Sequence, residues 1–277
     1  MMTFDEFKSH FINMTQLARG GQKVVWQATH PQYGKTVIKL YFSIDARAQR
    51  EIAISQNVQF DKVPCVYETG LVLYEGLETL YVVEQFINGC TVRDYLNSGK
   101  RFDIQVAVSF LEQGFAFVSQ LEKSHIVHRD IKPENLILTN DQLVYFLDFG
   151  IARILDMQSL TQSDAAFGPH TPGYAAPEQF NNLKRDIDSR ADLFSLGVVT
   201  YECLTGSNPF RENAANFLDV LQRTATVTPA SYQIAGDDQH LLMGLISSMM
   251  GKAPSMQPKD AAQAVGWLNA IKPTLKY

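Results

Sequence analysis

Over the first ninety residues, short apolar runs rich in β-branched and aromatic side chains are bounded by turn residues, a pattern that predicts strands. The runs are Val24–Ala28, Thr36–Leu40, Val66–Leu73 and Thr79–Glu84. His30–Lys35, which holds Pro31 and Gly34, predicts a hairpin turn between the first two. Ile44–Val58 breaks the pattern: it is rich in Ala, Arg, Glu and Gln, has Asp45 near its start, and predicts one helix. After Asn88-Gly89 the period lengthens. Ile104, Val108, Leu111, Phe115 and Val118 recur at steps of four and three, the stripe of a helix with one buried face. Two strand-like pieces follow, Leu136–Leu138 and Val144–Leu147, then a loop-like stretch from Gly150 to Pro177 and a helical remainder. The pattern predicts a small β-rich lobe over about 1–86 and a larger helical lobe over about 90–277. Their junction near Glu84–Gly89 is where a cleft would form.

Composition narrows the class. A chain of 277 residues with 45% apolar content is sized for one catalytic unit with a substantial core. A net charge of −5 argues against a nucleic-acid-binding surface. Cys65, Cys90 and Cys203 lie far apart, are odd in number and form no CxxC pair, so neither a disulfide framework nor a zinc site is expected. The reading is a reducing, cytoplasmic setting. Met1–His10 carries acids and no apolar core, unlike a secretory signal. The greasiest stretch, Leu241–Met250, is far short of the roughly 20 residues that span a bilayer, so no membrane insertion is expected.

The chemistry concentrates in His128-Arg129-Asp130-Ile131-Lys132-Pro133-Glu134-Asn135, between a predicted helix and a predicted strand. Asp130 can accept a hydrogen bond from a substrate hydroxyl, Lys132 can neutralise a moving phosphate and Asn135 can ligate Mg²⁺. The alternative is a polar surface loop with an i,i+2 charge pair. Asp148-Phe149-Gly150 follows an apolar strand, where a lone carboxylate suits a hard cation. An acid before glycine is also a common turn. Lys39 ends an apolar run and needs an anionic partner. Glu51 is one candidate, although it can instead pair with Arg47 on a solvated helix face for about 0.2–0.5 kcal/mol. In Ala18–Val25, Gly20 and Gly21 let backbone amides approach phosphates, or simply make a hairpin turn.

Taken in order, these pieces resemble the eukaryotic-type (Hanks-type) serine/threonine protein kinase family, including its compact bacterial members. The resemblance runs from about Leu17 to Trp267 and includes Ala176-Pro177-Glu178, Arg190–Gly197 with Asp192, and Leu204–Phe210. It implies a bilobal α+β fold in a single kinase domain over 1–277, with an antiparallel sheet in the first lobe. It implies ATP with Mg²⁺, or Mn²⁺ in its place, and protein substrates carrying serine or threonine. Lys132, with Thr171-Pro172-Gly173-Tyr174, is similar to serine/threonine rather than tyrosine kinases. By the same resemblance Asp130 is the catalytic aspartate, Lys39 and Glu51 the phosphate-directing pair, and Asn135 and Asp148 the metal ligands. Ala18, Gly20 and Gly21 line the phosphates. Val25, Val37 and Ile137 sandwich the adenine, Val83 stands behind it, and Glu84 and Phe86 offer it backbone groups. Asp192 supports the catalytic loop. The competing reading is a pseudokinase scaffold, which the complete catalytic set disfavours.

Several positions depart from the family pattern. Ala18 and Lys23 replace loop glycines, with Lys23 reaching either phosphate or water. Val37 narrows the adenine slot. Gln257 stands where an arginine usually pairs with the glutamate at Glu178, leaving Lys252 or Lys259 as substitutes, or solvent. Arg129 suggests regulation by phosphate at Ser159, Thr161 or Ser163, with Thr171 structural; Asp164 is Arg129's other candidate partner.

Overall fold

A computed structural model describes residues 2–21, 23–42, 60–149, 153–154, 171–180 and 187–277. The chain divides into two compact units, Met1–Asn88 and Gly89–Tyr277. No described helix is long and apolar enough to cross a membrane. The helix expected at Ile44–Val58, and with it Glu51, lies outside the described residues, as do Gly150, Ser159, Thr161, Ser163 and Asp164.

The first unit is a five-stranded antiparallel sheet in the order β1-β2-β3-β5-β4. Its strands are β1 (Ile12–Arg19), β2 (Lys23–His30), β3 (Gly34–Tyr41), β4 (Val66–Tyr74) and β5 (Leu77–Gln85). Four of them cover the predicted runs. β1 escapes the pattern because nearly all its side chains are exposed, so no alternation of apolar and polar positions marks it. A short helix, α1 (Phe4–Ser9), is also unforeseen. Thr3 starts it with a reciprocal cap: its hydroxyl accepts from the Glu6 N–H while the Glu6 carboxylate accepts from the Thr3 N–H.

Side chains alternate across this sheet. One face buries Val24, Ile38, Leu40, Val72 and Val83 in a core that includes Phe7 of α1. Leu80 and Val82 cluster with Tyr41 on the other face. Cross-strand partners share a face, so Lys39 opposite Val25 and Val82, and Val37 opposite Glu84, set out that second face in detail.

In the second unit, β6 (Gly89–Thr91), α2 (Val92–Asn97) and α3 (Ile104–Lys123) lead into β7 (Ile126–Val127), a 3₁₀ turn (Pro133–Asn135), β8 (Leu136–Thr139) and β9 (Val144–Phe146). Asp103 caps α3 by accepting from the Val106 N–H at 2.9 Å. Ile104, Val108, Leu111, Phe115 and Val118 of the predicted stripe are all buried. After β10 (Arg153–Ile154) and α4 (Pro177–Phe180) comes α5 (Arg190–Thr205), which is buried on every side from Ala191 to Leu204. A helix buried all round belongs at the centre of a core. Gly114 allows α3 to approach it, since a Cβ there would sit 2.9 Å from the Leu196 side chain. α6 (Phe217–Thr226), α7 (Leu241–Met249) and α8 (Ala261–Ile271) complete the unit.

Candidate active site

α5 anchors the loop that follows β7. Asp192 is fully buried, and its two carboxylate oxygens accept the backbone N–H groups of His128 and Arg129, each at 2.8 Å. Burial pushes this carboxyl up to about 7, against the pull of those two N–H groups and of Arg129. Arg129 takes a positive φ of 70° in this clamp, and its carbonyl accepts from the Gln179 amide at 3.1 Å. His128 is packed against the Phe149 and Phe117 rings, and burial lowers its pKa.

Asp130 stands next in the chain with its side chain largely enclosed. Lys132 Nζ donates to both of its oxygens, at 2.9 and 2.8 Å. The Thr171 hydroxyl donates to Oδ1 at 2.6 Å and accepts from Lys132 at 3.0 Å. The Asn135 amide donates to Oδ2 at 2.8 Å and to the Asp130 carbonyl at 3.0 Å. The carboxylate is therefore oriented by donors from three directions. The bare charge-pair reading of the octet gives way to a built cluster.

Asn135 has spent its amide nitrogen on Asp130, so what it can offer a cation is its oxygen. The β8–β9 hairpin carries that residue to Asp148: Leu136 pairs with Phe146, and the Leu147 N–H donates to the Asn135 carbonyl at 2.9 Å. Asp148 itself has a positive φ of 67°. One amide oxygen and one carboxylate suit Mg²⁺, which takes few protein ligands and completes its shell with phosphate and water oxygens. The described residues hold no group of three or more His, Cys, Asp and Glu able to bind a metal.

Thr171 belongs to a segment pinned from its other end. The Tyr174 hydroxyl donates to Glu202, and Arg93 bridges Glu202, at 2.8 Å, and Glu134, at 2.9 Å. Burial beside Glu202 raises the Tyr174 pKa. Arg93, Glu134 and Glu202 escaped the sequence reading because their meeting depends on α2, the 3₁₀ turn and α5 coming together. No local spacing signals it.

Gln257 is buried, and its amide donates to the Gly251 carbonyl at 2.8 Å. Neither proposed substitute reaches Glu178. Lys252 lies over the Phe210 ring at 4.1 Å and the Phe194 ring at 5.3 Å, and Lys259 faces Asp260. Burial raises the Glu178 pKa, with Asp188 adding to the rise and Arg190 opposing it.

In the first unit, Val25, Val37 and Lys39 share the second face of the sheet, and the β1–β2 turn is closed by the Gly20 N–H donating to the Lys23 carbonyl at 2.9 Å. Ala18 pairs with Val25 across that hairpin, and Gly21 lies in its turn. Lys23 holds its ammonium 5.3 Å from the Tyr41 ring centre. Phe86 carries the Lys35 ammonium over its ring at 4.4 Å. Ile137 lies in β8 of the second unit, opposite Tyr145.

One expectation needs correction. Val83 is fully buried on the opposite face from Lys39, with Ile38 and Val72, so it does not stand behind an adenine on the lysine side. The Glu84 side chain has a partner that the sequence did not signal. It lies inside the sheet, flanked by Val37 of β3 and Val66 of β4, and its carboxylate pairs with Lys39 Nζ at 3.0 Å. Both side chains are about nine-tenths buried.

Comparison with known proteins agrees with this layout. The protein kinase domain family model matches residues 12–265. A probable serine/threonine-protein kinase of Streptomyces coelicolor is 33% identical over 205 residues, 70% of this chain and 30% of the relative. Serine/threonine-protein kinase PknA of Mycobacterium tuberculosis is 32% identical over 208 residues, 72% of this chain and 47% of the relative. PknH of Mycobacterium bovis is 33% identical over 213 residues, 73% of this chain and 34% of the relative. The match thus spans less than half the length of these curated relatives. With the family model covering nearly the whole chain and the catalytic loop built as described, this chain belongs to the eukaryotic-type serine/threonine protein kinase family.

Proposed function

We propose that this chain transfers the γ-phosphoryl group of ATP to serine and threonine hydroxyls of proteins, itself included, in the cytoplasm. The observation that carries the reading is the Asp130 carboxylate held by Lys132, Thr171 and Asn135 on a loop clamped by Asp192.

The substrate hydroxyl hydrogen-bonds to Asp130, which aims its oxygen at the γ-phosphorus. The new O–P bond forms as the bond from the γ-phosphorus to the β,γ-bridging oxygen breaks, ADP leaves, and the hydroxyl proton departs along its hydrogen bond to Asp130. Lys132 faces the same carboxylate and offers positive charge to the phosphoryl oxygens in transit. Lys39 draws the α- and β-phosphates, with Glu51 as its family partner. Bound Mg²⁺, held by Asn135 and Asp148, would neutralise charge on the phosphate oxygens.

The test is incorporation of labelled phosphate into myelin basic protein and into the chain itself, with Asp130→Asn as control and phosphosite mass spectrometry as readout. Labelling of serine and threonine that Asp130→Asn abolishes is the expected result. Equal labelling by both proteins, or labelling of tyrosine alone, rejects the assignment.

A further inference from the structure

Lys39 meets a carboxylate that the family pattern does not call for. β3 and β5 pair in register, Val37 with Glu84 and Lys39 with Val82, so Glu84 and Lys39 are diagonal neighbours on one face of the sheet. The Nζ–Oε2 distance is 3.0 Å, with side chains only 9% and 10% exposed. At that depth water screens the pair weakly, and a charge is felt several ångströms away. A lysine that draws phosphates with its positive charge has here a negative charge built in beside it, on a strand held from both sides.

We propose that Glu84 is a positioning residue for nucleotide binding: its carboxylate holds Lys39 on the β3–β5 face and reduces the pull of that lysine on the phosphates. The proposal rests on the kinase reading given above. Glu84 sets how strongly the site distinguishes a triphosphate from the bare nucleoside, because its charge repels phosphates while leaving the uncharged ring and sugar unaffected. In chemical terms, the site is tuned toward weaker phosphate affinity by a residue that touches no phosphate.

The experiment measures dissociation constants of the purified chain for Mg·ATP and for adenosine by isothermal titration calorimetry, alongside a thermal melt. Glu84→Gln keeps the size of the side chain and one acceptor oxygen but loses the charge. Expected is a rise of about tenfold in the preference for ATP over adenosine, from removing one negative charge beside Lys39 at intermediate dielectric. Glu84→Asp, which keeps the charge, stays close to wild type in the ratio of the two constants. An unchanged ratio in Glu84→Gln, or a parallel weakening of both ligands, overturns the proposal while leaving the kinase reading intact. Wild-type protein that binds neither ligand overturns the kinase reading and this proposal with it. Where Glu84→Gln fails to fold, Glu84→Met, of similar length and with no polar atom to bury, reads the same ratio and decides in the same way.

Discussion

The two units hold their chemistry by different means. In the second unit two carboxylates of the site have several partners each: Asp192 clamps two backbone N–H groups, and Asp130 accepts from three residues. In the first, the described chemistry centres on one buried ion pair across neighbouring strands, Lys39 with Glu84. A multiply bonded cluster spreads the loss of any one member over the rest, whereas in a buried ion pair much of each charge's compensation comes from the other. The loop from His128 to Asn135 is therefore built for fixed geometry.

The sharpest way to break this contrast is at Asp130. Asp130→Asn should lower kcat by about 10²–10⁴-fold, measured by steady-state phosphate transfer, while the melting temperature barely moves because the amide can keep part of the network. A large stability loss instead would mean that the cluster is structural. In the first unit Lys39→Met should cost about 3 kcal/mol in urea unfolding, because Glu84 stays buried without this cation, and Lys39→Met/Glu84→Met should recover most of it. A double variant no more stable than the single one would show that the pair does not couple.

Asp192→Asn should cost about 2 kcal/mol, since one amide hydrogen must then face a backbone N–H that now finds an oxygen. Thr171→Ala should lower kcat about tenfold by removing one donor from Asp130, and Thr171→Ser should restore it. The smallest effect expected is at Lys252, whose ammonium is buried over Phe194 and Phe210 and whose pKa burial lowers to about 8. The folded protein then binds fewer protons there than the unfolded chain between pH 8 and about 10.5, so this group's contribution to stability rises with pH across that window. Below pH 8 its charge costs about 1 kcal/mol after allowance for solvent screening. Lys252→Met should return that amount at neutral pH and flatten the alkaline rise in a pH series of urea melts.

Much of the second unit was legible because its signals are local. The 3.6-residue stripe marked α3, and the octet from His128 to Asn135 carried its own chemistry within one loop. Four strands of the first unit were legible from apolar runs, whereas exposed β1 gave no alternation to read. Arg93, Glu134 and Glu202 were invisible because they meet only through tertiary packing. Of the substitutes considered for the arginine expected at Gln257, Lys252 packs against aromatic rings and Lys259 faces Asp260, positions that no local spacing signals.

What the chain determined by itself was which short segments bear chemistry and which type of element holds them, because hydrogen-bonding groups and apolar periodicity act over a few residues. What only the tertiary structure decided was parity in β5. Within Leu80-Tyr81-Val82-Val83-Glu84 an apolar run hides which residues face Lys39, since a slip of one position exchanges the two faces. The pairing of β3 with β5 settles it, turning Val83 toward α1 and Glu84 toward the lysine. The physical reason is that strand side chains alternate with a period of two, and only the neighbouring strand states where that period begins.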